Sequence, residues 1–236
     1  MGRFFNYDNG IMSALAKLAD CMILAFLWAG CSIPIFTIGA STTALYYTVN
    51  KSVRHNRGYA WKEFLTAFKS NFKQSTVVWL MILALYILGA VDCYILSMMG
   101  EAISFSNILM GIIIALMILV TMWVIYLFPY MARFESERKV VMKNSALIAI
   151  ANIFWTILLL VIFVVAVVLF LLLPMIGLFI PVIYMVLANL ILERIFRKYM
   201  SVEDLREEAE RDQVYYKELK AYENAEEKEK IEEIEE

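Results

Sequence analysis

From Cys21 to Val49 the chain reads CMILAFLWAGCSIPIFTIGASTTALYYTV, without one charged residue, and further long apolar runs follow it. An apolar run of about 20 residues carries a helix across the roughly 30 Å hydrocarbon core of a bilayer. Burying several such runs inside a water-soluble domain would need a polar shell this chain does not have. Its residues are 62% hydrophobic and 19% charged, whereas soluble domains run nearer half apolar and a quarter charged. The excess must face lipid, so the sequence predicts an all-α polytopic membrane protein.

As a single helix, Cys21–Val49 would measure about 44 Å, more than one membrane thickness and less than two. Pro34 and Gly39 can each interrupt a helix. A crossing over 9–36 is therefore expected, then a break at Thr37-Ile38-Gly39 and a second helix from Ala40 to Arg54. Ser41, Thr42 and Thr43 suit the start of that helix, where hydroxyls cap free N–H groups. A re-entrant hairpin over 21–49 is the competing arrangement. Further crossings are predicted over 77–98, 108–131, 146–172 and 175–192, which makes five. Pro174 marks the turn between the last two, and Pro181 is expected to kink the final helix.

Between the first two apolar blocks lies KSVRHNRGYAWKEFLTAFKSNFK, residues 51–73. It holds Lys51, Arg54, Arg57, Lys62, Lys69 and Lys73, plus His55, against the single Glu63. Trp61, Phe64, Leu65, Phe68 and Phe72 recur at the spacing of one helical face. Lys62, Glu63, Thr66, Lys69, Ser70 and Lys73 take the other. An aromatic stripe opposite a basic face predicts an amphipathic helix over 58–76, lying in the cytoplasmic membrane interface.

The loops alternate in charge. Residues 97–107 carry no Lys or Arg, residues 133–143 carry Arg133, Arg138, Lys139 and Lys143, the turn at Pro174 carries none, and Arg194, Arg197 and Lys198 close the last helix. Basic loops stay in the cytoplasm, which places the C-terminus there and, with five crossings, the N-terminus outside. A hairpin over 21–49 would leave the N-terminus inside with four crossings.

Residues 1–200 thus form a basic membrane domain, and residues 201–236 a tail with 15 acidic and 6 basic residues. Ser201 and Asp204 resemble a capping box for a tail helix running to Tyr222; the final AEEKEKIEEIEE is too charged to pack. Cys21, Cys31 and Cys93 lie in apolar runs with no metal or disulfide spacing. No cleavable signal peptide is expected.

Few residues offer chemistry. Asp92 sits inside a predicted crossing, and an intramembrane ionisable group is a functional candidate, although it is near enough the outer end to reach headgroups. Asp20, with Lys17 one turn away, reads as a local pair. Asn152, Asn189 and Glu193 read as interhelical hydrogen-bonding groups. No phosphate-binding loop, zinc motif or nucleophile–base set is present, so no cofactor, no metal and no enzymatic activity are expected. The basic faces suit anionic lipid and equally a cytoplasmic or membrane partner, the chain's own acidic tail included; nucleic acid is not an expected partner.

The stretch IPIFTIGASTTALYYTVNK, followed by FKSNFKQST, resembles the YesL-like (DUF624) membrane proteins of Gram-positive bacteria. VIYMVLANLILERIFRKY is similar to that family's last helix. The resemblance covers residues 1–200, with Ala40 departing from the Pro expected after the Gly. Matching positions are Pro34, Thr37, Gly39, Thr42, Thr43, Ala44 and Tyr46, then Phe68, Asn71, Phe72, Lys73 and Gln74, and Asn189. The family is typically encoded beside carbohydrate ABC importers. The resemblance therefore implies a non-enzymatic accessory role in sugar uptake, in contact with the importer's membrane subunits. Trp61, Phe64, Phe68, Asn71, Phe72, Lys73 and Gln74 are the candidate interface, and the other matching positions fold determinants. A small autonomous transporter or channel, and a regulator acting through the tail, are the alternatives. The oligomeric state and the sugar are not legible.

Overall fold

The computed structural model describes residues 10–55, 58–99, 105–134 and 136–200, with 202–203, 205–206 and 209–210 of the tail. Eight helices follow one another: α1 (Gly10–Ser32), α2 (Ile38–Thr48), α3 (Ala60–Met99), α4 (Ser106–Arg133), α5 (Arg138–Ala151), α6 (Ile153–Leu172), α7 (Pro174–Gly177) and α8 (Ile180–Phe196). No strand occurs among the described residues. Leu15–Ser32, Ala60–Met98, Ser106–Arg133 and Ile153–Leu172 are long and apolar enough to cross a membrane. The chain is an all-α membrane protein with four such helices among the described residues where five crossings were expected; the last expected one, 175–192, is divided between α7 and the 17-residue α8.

Proline rather than glycine sets the first break. Pro34 has no N–H and disfavours helical backbone at Ile33, so α1 stops at Ser32, short of the expected 36, and α2 starts at Ile38 rather than Ala40. One tight turn, Ile35–Thr37, joins them. The Thr37 hydroxyl lies 2.6 Å from both the Cys31 and the Pro34 carbonyl oxygens, the latter also accepting the Thr37 backbone N–H. From there α2 doubles back along α1. Ser41 Oγ donates to the Trp28 carbonyl (3.1 Å), and Trp28 Nε1 donates to Thr42 Oγ1 (3.4 Å). The wider turns of Val49–Arg54 extend α2 along α1. Gly10 and His55 therefore lie at the same end of a hairpin, the arrangement that competed with a single crossing.

The expected interfacial helix 58–76 and crossing 77–98 are one element. No proline and no glycine occur between Ala60 and Leu88, so nothing ends the helix between its amphipathic and apolar halves. At 40 residues α3 is about 60 Å long, twice the hydrocarbon thickness. The expected boundary survives as a change of surface. Lys62, Lys69 and Lys73 are exposed before it; from Val77 onward the exposed side chains are Leu80, Met81, Leu85, Ile87, Leu88 and others of that kind.

Two further expectations need correction. The crossing 146–172 is divided at Asn152, whose backbone leaves the helix at φ −118°, ψ 46°. Thr156 supports the break, its hydroxyl lying 2.7 Å from the Ala149 carbonyl and 3.0 Å from the Tyr126 hydroxyl. Pro181 does not kink α8. It stands in the helix's first turn, where no N–H is needed. The tail helix expected from Ser201 to Tyr222 and the terminal acidic run lie largely outside the described residues.

By internal contacts the chain forms two units, Met1–Leu192 and Glu193–Glu236. The core of the first is α2, in which Gly39, Ala40, Ser41, Thr43, Ala44, Leu45, Tyr46 and Thr48 are all buried. Its approach to α3 and α4 is closest at Gly39. A Cβ there would stand 2.5 Å from Trp79 Cβ, 2.9 Å from Phe128 Cε1 and 3.0 Å from the Ser75 carbonyl oxygen. Overpacking of this kind destabilises by ~1–3 kcal/mol, so Gly39→Ala is expected to lower the melting temperature in detergent by several degrees. Gly30→Ala is the control. Its Cβ meets nothing within 4 Å, and the melting temperature is expected to hold or rise.

Candidate functional site

Between α2 and α3 the polar groups are matched pair by pair. Thr43 Oγ1 donates to the Gly39 carbonyl within its own helix (2.8 Å) and lies 3.1 Å from Ser75 Oγ on α3. Ser75 is in turn 3.0 Å from the Met131 sulfur of α4. Trp79 Nε1 donates to the Ile35 carbonyl at the α1–α2 connection (2.7 Å). Pro34, Thr37, Gly39, Thr42, Thr43, Ala44 and Tyr46, singled out in the sequence, thus converge on the turn and helix that pack against α3. Pro34 is exposed at the turn; Tyr46 is fully buried.

A second cluster closes the 51–63 loop. Lys51 Nζ forms an ion pair with Glu63 Oε2 (2.8 Å), reaches Tyr47 Oη at 3.3 Å, and sits 5.5 Å from the Tyr47 ring centroid. Burial alone would lower the Lys51 pKa; the hydrogen bond to Glu63 and the neighbouring Tyr47 outweigh it and hold the ammonium above its ordinary value. Gly58 takes φ +70°, a conformation L side chains avoid, and a Cβ there would stand 2.6 Å from Glu63 Oε1. Arg54 donates to Asn189 Oδ1 of α8 at 3.1 Å. The sequence marked Asn189 without a partner, because a contact spanning 135 positions leaves no local pattern.

The candidate interface divides by exposure. Phe64 is fully buried and Phe68 half-buried, whereas Trp61 is 50% and Phe72 36% exposed. Phe64, Phe68 and Phe72 form a ring ladder with centroids 6.3 and 5.4 Å apart. Asn71 turns back to the Ala67 carbonyl (3.0 Å), and Gln74 Nε2 donates to the Ser136 carbonyl at the start of α5 (3.1 Å). Lys73 is exposed. What α3 offers a partner is therefore Trp61, Phe72 and the lysines between and beside them.

Asp92 is not gathered with other polar groups. It lies on an exposed face of α3, while Asn152 donates to the Ile148 carbonyl within its own chain segment (2.9 Å) and Asn189 engages Arg54. Asp92, Asn152 and Asn189, the polar residues from which a small transporter would have to build its path, thus share no hydrogen-bond partner among the described residues. No group of three His, Cys, Asp or Glu side chains suited to a metal ion occurs among the described residues.

The family model described as "Protein of unknown function, DUF624" matches residues 21–93. The resemblance to YesL-like (DUF624) proteins holds over that segment, which covers the end of α1, the proline break, α2 and most of α3. No curated protein and no solved structure matches the chain.

The Lys51–Glu63 pair carries a pH signature. Because the folded-state pKa of Lys51 is raised, the stabilisation is fully present below the ordinary lysine value of about 10.4 and is lost as pH rises through the folded value. With both side chains partly exposed, it is worth at most about 1 kcal/mol. The melting-temperature difference between wild type and Lys51→Met is expected to be constant from pH 7 to 9 and to shrink above pH ~10.4. Glu63→Gln should abolish that dependence.

Proposed function

We propose that this chain is a non-catalytic accessory protein of a carbohydrate ABC importer in the bacterial cell membrane, docking on the importer's membrane subunits through the first half of α3. The observation that carries the reading is the surface of residues 60–76. There Trp61 and Phe72 remain exposed beside Lys62, Lys69 and Lys73 on a helix whose other face is buried against α2. Aromatic side chains left exposed next to cations are the residue types that dominate protein interfaces as anchors. The sugar-importer identity rests on the family resemblance over residues 21–93.

The same reading sets the topology. With the basic loops 51–73 and 133–143 cytoplasmic, the α1–α2 hairpin brings the start of α1 to the cytoplasmic side as well. A cytoplasmic N-terminus replaces the external one expected from five crossings. A reporter fused before residue 10 reads this directly.

The docking claim is tested by purifying the tagged full chain in mild detergent from its native membranes and identifying bound proteins by mass spectrometry. Importer permease subunits in fixed ratio are expected. Trp61→Ala and Phe72→Ala should each reduce the bound permease roughly tenfold, as anchor truncations do, with little change in melting temperature. Phe64→Ala, by contrast, should destabilise the fold. Emergence of the protein alone, or permease retention unaffected by both exposed substitutions, overturns the reading.

A further inference from the structure

A groove lies between the helices of the first unit. Two cavities of about 320 and 310 Å³ adjoin there and share Thr42, Trp79, Phe128, Phe163, Tyr184 and Met185 in their walls. One continues towards Tyr86 and Thr121, the other towards Trp28, Ala166 and Phe170. Val167 and Phe170 line the second cavity and are also 41% and 45% exposed on the outer surface of α6. The groove therefore opens sideways onto the face that meets lipid.

Most polar atoms in its wall are already used. Tyr86 Oη and Thr121 Oγ1 are 2.7 Å apart, and Thr121 donates to the Met117 carbonyl (2.8 Å). Trp28 is bonded to Thr42, and Trp79 to the Ile35 carbonyl. A wall of this kind calls for an apolar occupant. An α-helix is about 10–12 Å across and a single turn displaces roughly 500 Å³, so the two cavities together hold little more than one turn. A hydrocarbon chain fits: at roughly 30 Å³ for a group the size of a water molecule, each cavity takes about ten carbons.

Two arginines stand near one end of the groove, outside its lining. Arg133 stands four residues after Pro129, a lining residue, and so lies one turn beyond it on the same face of α4. Arg54 is bonded to Asn189, whose neighbour Ala188 lines the groove with Leu192. Asn189 is 1% exposed, and its Nδ2 finds no acceptor among the described residues. Basic pockets between membrane helices recognise anionic headgroups.

We infer that this groove is a binding site for an anionic phospholipid, with one acyl chain between α2, α3, α4, α6 and α8 and the phosphate at the Arg54–Asn189–Arg133 end. The site is independent of any importer and needs none to be measured. The full-length chain in mild detergent, given equimolar phosphatidylglycerol and phosphatidylcholine with matched chains, is read by native mass spectrometry. Phosphatidylglycerol is expected to be retained at least fivefold over phosphatidylcholine. Arg54→Gln with Arg133→Gln should bring the two level. Ala166→Trp, which fills the groove from a half-exposed position, should reduce both lipids at least fivefold.

A phosphatidylglycerol probe with a diazirine near the middle of its acyl chain tests the wild-type protein without any substitution. Crosslinks at Phe163 and Val167 are expected; crosslinks confined to the exposed 108–119 face of α4 overturn the inference. Equal retention of the two lipids by wild type overturns it too. So does Ala166→Trp releasing importer subunits while lipid retention stays unchanged, because the groove would then seat a partner helix.

Discussion

The structure depends on burying a helix made of small and hydroxylated residues inside the membrane. Lipid chains are as apolar as leucine, so helices in a bilayer gain little from hydrophobic burial and associate through close packing and hydrogen bonds. GASTTA, residues 39–44, supplies both. Gly39 lets the backbone of α2 approach Trp79 and Ser75 to within a distance no Cβ would permit. The hydroxyls of Thr43 and Thr48 fold back on the carbonyls four residues earlier, at 2.8 Å each, so burying them leaves no unsatisfied donor. With α2 fixed in this way, α1 is held to it at Trp28, α3 along its first half, and α4 through Phe128. The matched segment 21–93 is centred on this packing.

Much of this was legible because hydrocarbon imposes a length and a polarity on any segment that enters it. The apolar runs pointed to α1, α4 and α6, although α1 ends at Ser32 and α6 begins only at Ile153, and the change from lysines to leucines and methionines at Val77 marked where α3 begins to face lipid. What misled was the inference from an amphipathic pattern to an orientation. The Trp61–Phe72 periodicity tells which face of a helix is wet. It carries no information about whether that helix continues in line with the next, and only a breaker between Ser70 and Val77 would have signalled a turn. Asn152 failed in the opposite sense: an asparagine in an apolar run reads as a hydrogen-bonding group, and its backbone break is enforced by Thr156 and Tyr126 at positions no local pattern connects. The groove was invisible for a similar reason, since its wall draws on six helices.

The continuity of α3 places the docking surface and the groove on one rigid element. Trp61 and Trp79 are 18 residues apart, about 27 Å along a single axis, and Phe72 lies two turns from Trp79 on the same side. Sites joined by a helix are not thereby coupled. Coupling requires an element with two arrangements that each ligand stabilises differently. Neither α2 nor α3 supplies one, because the Gly39 contact leaves no room for one to slide on the other.

The wall that can move is α6. Only Thr156 and Leu159 are buried along its 20 residues, it meets α5 at the Asn152 break, and it contributes Phe163, Ala166, Val167 and Phe170 to the groove. A chain entering between α6 and α8 meets a compliant side facing the lipid and a fixed side built from α2, α3 and α4. Occupancy would therefore be taken up by displacement of α6 about Asn152, leaving the α3 surface where it is. On this geometry the proposed lipid and partner sites would share a scaffold without sharing a switch. Binding at one end of α3 is accordingly expected to be energetically additive with binding at the other.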